Sequence, residues 1–169
     1  NEVDLPIILY DIPLCPGLEL SWQMVEDLAQ IPNIVAIKDS SGQLKYILAI
    51  LEKVRDKINV LCGHDEVVVA ALSAGCSGAI LASANVIPDV WVQIYNHVKK
   101  GELQQAPELQ YKVQIIARII AGSGAVAKKE ALNIMKIKVG PVRKPLSVGG
   151  ELTYEAREEL RLDLEKIGK

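Results

Sequence analysis

The chain has 169 residues, enough for one ordinary domain with its own hydrophobic core. Half of them are apolar and 24% are charged, a balance that argues against intrinsic disorder. A net charge of −2 argues against a nucleic-acid binder working through a basic surface, and no apolar run reaches the ~18 residues that suggest a membrane span. The opening Asn1-Glu2-Val3-Asp4 has no initiator Met, basic n-region or apolar h-region. It reads as no signal peptide, and as a start inside a longer protein.

Four short segments rich in Ile, Val and Leu follow one another, each succeeded by helical periodicity. The first covers residues 5–10. Behind it, Ser21 is placed to cap a helix whose stripe is Trp22, Val25, Leu28 and Ala29, and Pro32 with Asn33 ends it. The second segment, 33–38, leads to a helix with Leu44, Ile47, Leu48 and Leu51 at helical spacing. The third, 58–63, leads to Val67, Val68, Ala71 and Leu72. The fourth, 78–83, leads to Trp91, Ile94, Tyr95 and Val98, closed by Lys99, Lys100 and Gly101. Near-continuous apolar runs suit strands buried on both faces, and strand–helix alternation at this pitch predicts right-handed βαβ units on a parallel sheet.

The remainder reads as helix. Leu109, Val113, Ile116, Ala117 and Ile120 form one apolar stripe, with Pro107 in the first turn or at a kink. A second helix covers about 126–135, after Gly122 and Gly124. A loop with Gly140, Pro141 and Pro145 precedes a charged last helix capped by Thr153. The expected architecture is α/β: the C-terminal half of a (β/α)8 TIM barrel, four βα units over residues 1–100, then a bundle of about three helices over 101–169 that packs on it. A whole barrel needs ~250 residues, so one chain of this length does not close it.

Lys38 ends the second strand on the face of Ile34 and Ala36. Strand C-terminal ends form the rim where barrel enzymes do chemistry. A lysine held among apolar groups there loses ammonium solvation, and its free amine can attack a ketone to form a Schiff base. The bland alternative is a lysine snorkelling at a strand end. Tyr10 ends the neighbouring strand in the same way. It either relays protons to a substrate oxygen or packs with its hydroxyl in water. Gly63-His64-Asp65-Glu66 ends the third strand. The glycine admits a close approach, and the carboxylates either accept from hydroxyls of a polyol or, for Asp65, cap the next helix. Asp39-Ser40-Ser41-Gly42 offers donors for a carboxylate, or is only a turn. Cys15, Cys62 and Cys76 form no CxxC pair, and two histidines, His64 and His97, are too few for a His-based site. Reduced thiols in a cytoplasmic protein and no metal site are therefore expected.

Leu9-Tyr10-Asp11-Ile12-Pro13, Ile37-Lys38-Asp39-Ser40-Ser41-Gly42 and Gly63-His64-Asp65-Glu66 resemble motifs of the dihydrodipicolinate synthase/N-acetylneuraminate lyase family. Gly75-Cys76-Ser77-Gly78-Ala79-Ile80 with Asn85-Val86 is similar to its last barrel strand and following loop. Gly140-Pro141-Val142-Arg143-Lys144-Pro145-Leu146 is similar to its C-terminal segment. The resemblance implies a class I, pyruvate-dependent aldolase that needs no cofactor. Its Schiff-base lysine falls on Lys38 and its catalytic tyrosine on Tyr10. Ser40, Gly63, Asp65, Glu66 and Ser83 are counted as substrate-binding. The implied partners are pyruvate or another 2-oxo acid, an aldehyde co-substrate and further copies of the chain in a dimer or tetramer.

Two departures stand out. Cys15 occupies the place where the dihydrodipicolinate synthase branch carries an Arg for the aldehyde partner's carboxylate, and Asp11 replaces a commoner Asn. The first favours a neutral or hydroxylated partner over aspartate semialdehyde, and Asp65 with Glu66 makes a sugar-derived aldehyde the preferred class. The family's first four strands, with their carboxylate-binding loop, have no counterpart here. A fragment, a product of proteolysis or a truncated gene, and a half barrel completed by another chain are the open explanations. A non-catalytic half barrel that binds or assembles is the competing class of function.

Overall fold

The structure, a computed structural model, describes residues 4–15, 17–102, 104–147 and 150–169. The chain forms two compact units, one ending at Leu81 and the other beginning at Ala82.

The first unit alternates strand and helix: β1 (Ile7–Asp11), α1 (Trp22–Leu28), β2 (Ile34–Asp39), α2 (Leu44–Val54), β3 (Asn59–Cys62), α3 (Val68–Ala74) and β4 (Gly78–Ala79). The sheet is wholly parallel in the order β1-β2-β3-β4, as sequential right-handed crossovers require. Its register makes two rows. Asp11, Asp39, Cys62 and Ala79 are successive partners on the face that the helices cover, while Tyr10, Lys38 and Leu61 align on the opposite, open face. Ile37, Val60, Cys62 and Asp39 are all fully or almost fully buried on the helix side. Several open-face side chains remain exposed, Ile8 and Ile80 among them.

Local sequence chemistry sets the helix ends. The Ser21 hydroxyl accepts from Met24 N at 3.2 Å and starts α1. Gly75, at φ 119°, closes α3 in a left-handed turn that a side chain would strain. Two expectations shift. In α2 the buried stripe is Ile47, Ile50, Leu51 and Val54, and Leu48 is half exposed. Ile50 and Val54 extend the apolar stripe by one turn and outcompete Leu44 and Leu48 for the face packed on β3. The fourth strand is only two residues long. After Ile80 N donates to Cys62 O at 2.8 Å, Ala82 adopts helical backbone angles and the chain turns into a short 3-10 turn, Ser83–Asn85.

The second unit holds α4 (Pro88–Lys99), α5 (Gln105–Ile134) and α6 (Tyr154–Lys166). Gly124 (φ 54°, ψ −124°) breaks α5 into two segments, so three helical segments follow residue 101. Val113, Ile116, Ala117 and Ile120 are buried, and α5 packs on both α4 and α6. α4, grouped by sequence with the barrel units, belongs to this unit by its contacts. Thr153 caps α6 by accepting from Ala156 N. No helix among the described residues is long and apolar enough to cross a membrane.

Candidate active site

Parallel pairing of β1 with β2 sets Tyr10 and Lys38 side by side on the open face. The Lys38 ammonium nitrogen lies 4.1 Å from the centroid of the Tyr10 ring, over its π face. Lys38 is half-buried and Tyr10 is 51% exposed, so the amine leans on an aromatic surface instead of being enclosed.

Gly63, just beyond β3, is what lets Lys38 lie there. A Cβ at Gly63 would stand 2.7 Å from Lys38 Cε, 2.2 Å from Ser40 Oγ and 2.9 Å from Asp39 O. The ladder continues past the strand ends and holds this spot: Ser40 N donates to Asp11 O (2.8 Å), Gly63 N to Asp39 O (2.6 Å), and Ser40 Oγ to Gly63 O (3.2 Å). Tyr10, Lys38, Ser40 and Gly63 thus form one connected cluster at the C-terminal edge of the sheet. The rest of the expected set is disposed differently. Asp65 is buried and Glu66 half-buried in the 3-10 turn Asp65–Val67, each already engaged with a partner. Asp65 opens that turn, and the residue in the cap position is His64, whose side chain makes no capping bond. Ser83 is fully buried in the second unit, where its Oγ accepts from Trp91 Nε1 at 2.8 Å.

Residues 39–42 form a turn that uses its own donors. Asp39 accepts from Ser41 N (3.0 Å) and Ser41 Oγ (3.1 Å), and that hydroxyl accepts from Gln43 N. The alternative of a carboxylate cradle built on Ser41 is thereby spent internally. Gly42 sits at φ 74° with the His64 ring packed against it, so a Cβ would come 2.9 Å from the imidazole.

Sequence reasoning missed the layer beneath. On the helix side, Asp11 Oδ1 accepts from Leu20 N at 3.0 Å, and the Tyr46 hydroxyl donates to Leu20 O. Both groups of one peptide residue are thus clamped, which fixes the segment between Tyr10 and α1. Burial, with the negative charge of Asp11, Asp39 and Glu19, pushes the Tyr46 phenol well above its ordinary value and keeps it a donor. Burial also holds the Asp39 carboxyl above the usual carboxylate range, with the Ser41 donors pulling the other way. Burial raises the Cys62 thiol to about 11 and that of Cys76 to about 12, so neither is a thiolate at neutral pH. All three cysteines are free, and Cys15 is exposed. Among the described residues no group of three or more His, Cys, Asp or Glu is arranged to hold a metal.

A family profile described as the Dihydrodipicolinate synthetase family matches residues 1–167. A 4-hydroxy-tetrahydrodipicolinate synthase from Methanoculleus marisnigri is 35% identical over 162 residues, covering 95% of this chain and 55% of that protein. One from Caldicellulosiruptor bescii is 34% identical over 99% of this chain and 56% of its own length. Among solved structures, a chloride-inhibited dihydrodipicolinate synthase from Acinetobacter baumannii complexed with pyruvate aligns with a TM-score of 0.90 at 32% identity, over 98% of this chain and 56% of that one. The chain spans about half the length of the curated relatives it matches.

Proposed function

Because the chain belongs to the dihydrodipicolinate synthetase family, whose members are class I aldolases, we propose that it carries the Schiff-base half of a pyruvate-dependent carbon–carbon lyase. Lys38 is the nucleophile and Tyr10 the acid/base. The amine adds to the keto carbon of pyruvate, and loss of water from the carbinolamine leaves an iminium. That cation is an electron sink. A proton leaves C3 to give an enamine, C3 bonds to an aldehyde carbon, and hydrolysis returns the amine and a longer 2-oxo acid. The reverse sequence cleaves the same bond. Tyr10 passes the protons to and from the oxygens, and Ser40, Gly63, Asp65 and Glu66 are its substrate-binding partners. The observation that carries this reading is the 4.1 Å approach of the Lys38 nitrogen to the Tyr10 ring, beside a glycine whose missing side chain is filled by Lys38 Cε and Ser40 Oγ.

The aldehyde partner in this reading is neutral and sugar-derived, since Cys15 supplies no cation for a second carboxylate. The names of the curated relatives favour aspartate semialdehyde as the second reading. Three free thiols suit a reducing cytoplasmic setting, and a homodimer or homotetramer completes the proposal.

Borohydride reduction of the complete protein with pyruvate, followed by peptide mass spectrometry, tests the chemistry. A pyruvyl adduct is expected on Lys38 and is lost in Lys38→Ala. Tyr10→Phe should still form the adduct but turn over ~10²–10⁴-fold more slowly. Absence of any adduct overturns the enzyme reading in favour of a half barrel that only binds or assembles. Comparison of kcat/KM for an N-acetylated amino-sugar aldehyde against aspartate semialdehyde separates the two substrates.

A further inference from the structure

The connection from β1 to α1 starts directly behind Tyr10 and Asp11 and ends at the Ser21 cap. Close to Tyr10 it is held by its own turn. Cys15 N donates to Ile12 O at 3.0 Å and Gly17 N to Pro13 O at 3.1 Å, while Leu14 and Leu18 stand exposed. Its far end is tied to other elements. Leu20 N donates to Asp11 Oδ1 at 3.0 Å, and Leu20 O accepts from the Tyr46 hydroxyl on α2. Beside it, Gln43 Nε2 donates to Glu19 Oε1 at 3.1 Å from the cap position of α2.

These bonds close a circuit behind the two residues assigned to the chemistry. Next to Lys38, Asp39 accepts from Ser41 Oγ, and that hydroxyl accepts from Gln43 N. Gln43 reaches Glu19, and the following residue, Leu20, reaches Asp11 next to Tyr10. The circuit closes where Ser40 N donates to Asp11 O at 2.8 Å. Its links are unequal. The Gln43–Glu19 bond is exposed and exchanges readily with water, so it adds little. The Leu20 clamp is shielded. Asp11 is buried, and among the described residues its Oδ2 has no hydrogen-bond partner, so Leu20 N is what orients this carboxyl. Leu20 is held in turn by Tyr46, and α2 packs on both α1 and β3, which makes Tyr46 the firm end of the chain of bonds. Lys38 has other support, because β2 is paired with strands on both sides. Among the described residues β1 is paired with β2 alone, so a loosened clamp is felt at Tyr10.

We propose that Tyr46 is a positioning residue for the lyase reaction, holding Leu20 and Asp11 so that the end of β1 sets Tyr10 against Lys38. The role rests on the lyase reading, whereas the clamp does not. Removing the hydroxyl leaves Leu20 O without its donor. The Leu20 N–H then loses its fixed aim at Asp11, and the strand end that carries Tyr10 gains freedom. Tyr46 lies on the helix side of the sheet and touches no reacting atom. Its effect passes through the backbone, and a proton carrier displaced by ~1 Å costs about 10²-fold in rate.

The role is tested by a cycle of variants in the complete protein. Tyr46→Phe keeps the ring and deletes the bond. It should lower kcat by roughly 10–10²-fold and leave the pyruvate KM and the borohydride adduct at Lys38 unchanged. In a Tyr10→Phe background the same change should alter kcat by less than about twofold, because the residue being positioned no longer carries a proton. An equal loss in both backgrounds, or loss of the Lys38 adduct, marks general damage and overturns the role. Asp11→Ala cuts the clamp at its other end and should repeat the split. Asp11→Asn keeps an oxygen for Leu20 N and should recover most of the lost rate. An Asn variant as slow as the Ala variant overturns the route through Leu20.

The clamp is read without any activity. Hydrogen exchange at the Leu20 amide should quicken in Tyr46→Phe while the amides of β2 keep their parental rates. Unchanged exchange at Leu20 overturns the clamp whether or not the protein is a lyase. A parent protein that forms no adduct at Lys38 overturns the lyase reading and the catalytic role of Tyr46 with it, even where the exchange result upholds the clamp.

Discussion

Gly63 shows how little space separates a working residue from a blocked one. Its missing side chain is filled by Lys38 Cε and Ser40 Oγ, with the Asp39 carbonyl behind them. The first two can move, and moving them is what would harm the site. Gly63→Ala should therefore cost about 1–3 kcal/mol by overpacking and abolish borohydride trapping at Lys38 while the protein still folds. Thermal denaturation with a trapping assay checks it, and a Gly63→Ala variant that traps pyruvate as well as the parent refutes the close approach. The pairing of Tyr10 with Lys38 was legible beforehand because each ends an apolar run on a face fixed by the period of two. The clamp on Leu20 was not. Its partners, Asp11 and Tyr46, act on backbone groups, and Tyr46 reaches across 26 positions of sequence to do so. No side-chain pattern encodes such a bond.

Among the elements, α2 separates what periodicity can decide from what packing decides. Leu44, Ile47, Leu48, Ile50, Leu51 and Val54 offer two overlapping stripes, and both satisfy helical spacing. Contact with β3 selects the stripe through Ile50 and Val54, both 0% exposed, and leaves Leu48 in solvent. Ile50→Ala should cost about 2–5 kcal/mol and Leu48→Ala within about 0.5 kcal/mol, measured by urea denaturation. Equal costs would mean that the helix sits rotated from the position described. The same limit explains β4. Residues 78–82 carry no polar side chain, and only the backbone angles at Ala82 show where the extended run stops. Helix caps, by contrast, were legible at Ser21 and Thr153, because a hydroxyl three residues ahead of an orphan N–H is a local signal.

At the scale of the whole molecule, the chain carries the strands and C-terminal helices of a fold whose curated relatives are nearly twice as long. Among the described residues of the first unit, β1 has a neighbour on one side only, and Ile8, Tyr10 and Ile80 lie open on the face that carries Lys38. An apolar face and an unpaired strand edge of this kind seek cover. The chain prepared by itself should bind an apolar-sensing dye while folded and self-associate as its concentration rises. Ile8→Lys should reduce both. A folded chain that stays monomeric and dark in the dye assay would refute this.

The two register rows, one bearing Tyr10 and Lys38 and the other Asp11 and Asp39, give the protein an uneven tolerance for insertions and deletions. A codon gained or lost outside the strands leaves the two rows on their faces. The same event inside β2 exchanges the rows, swinging an acid to where the amine stood and burying the amine under α2. A one-residue insertion or deletion within the six residues of β2 should therefore abolish trapping at Lys38, whatever its cost to folding.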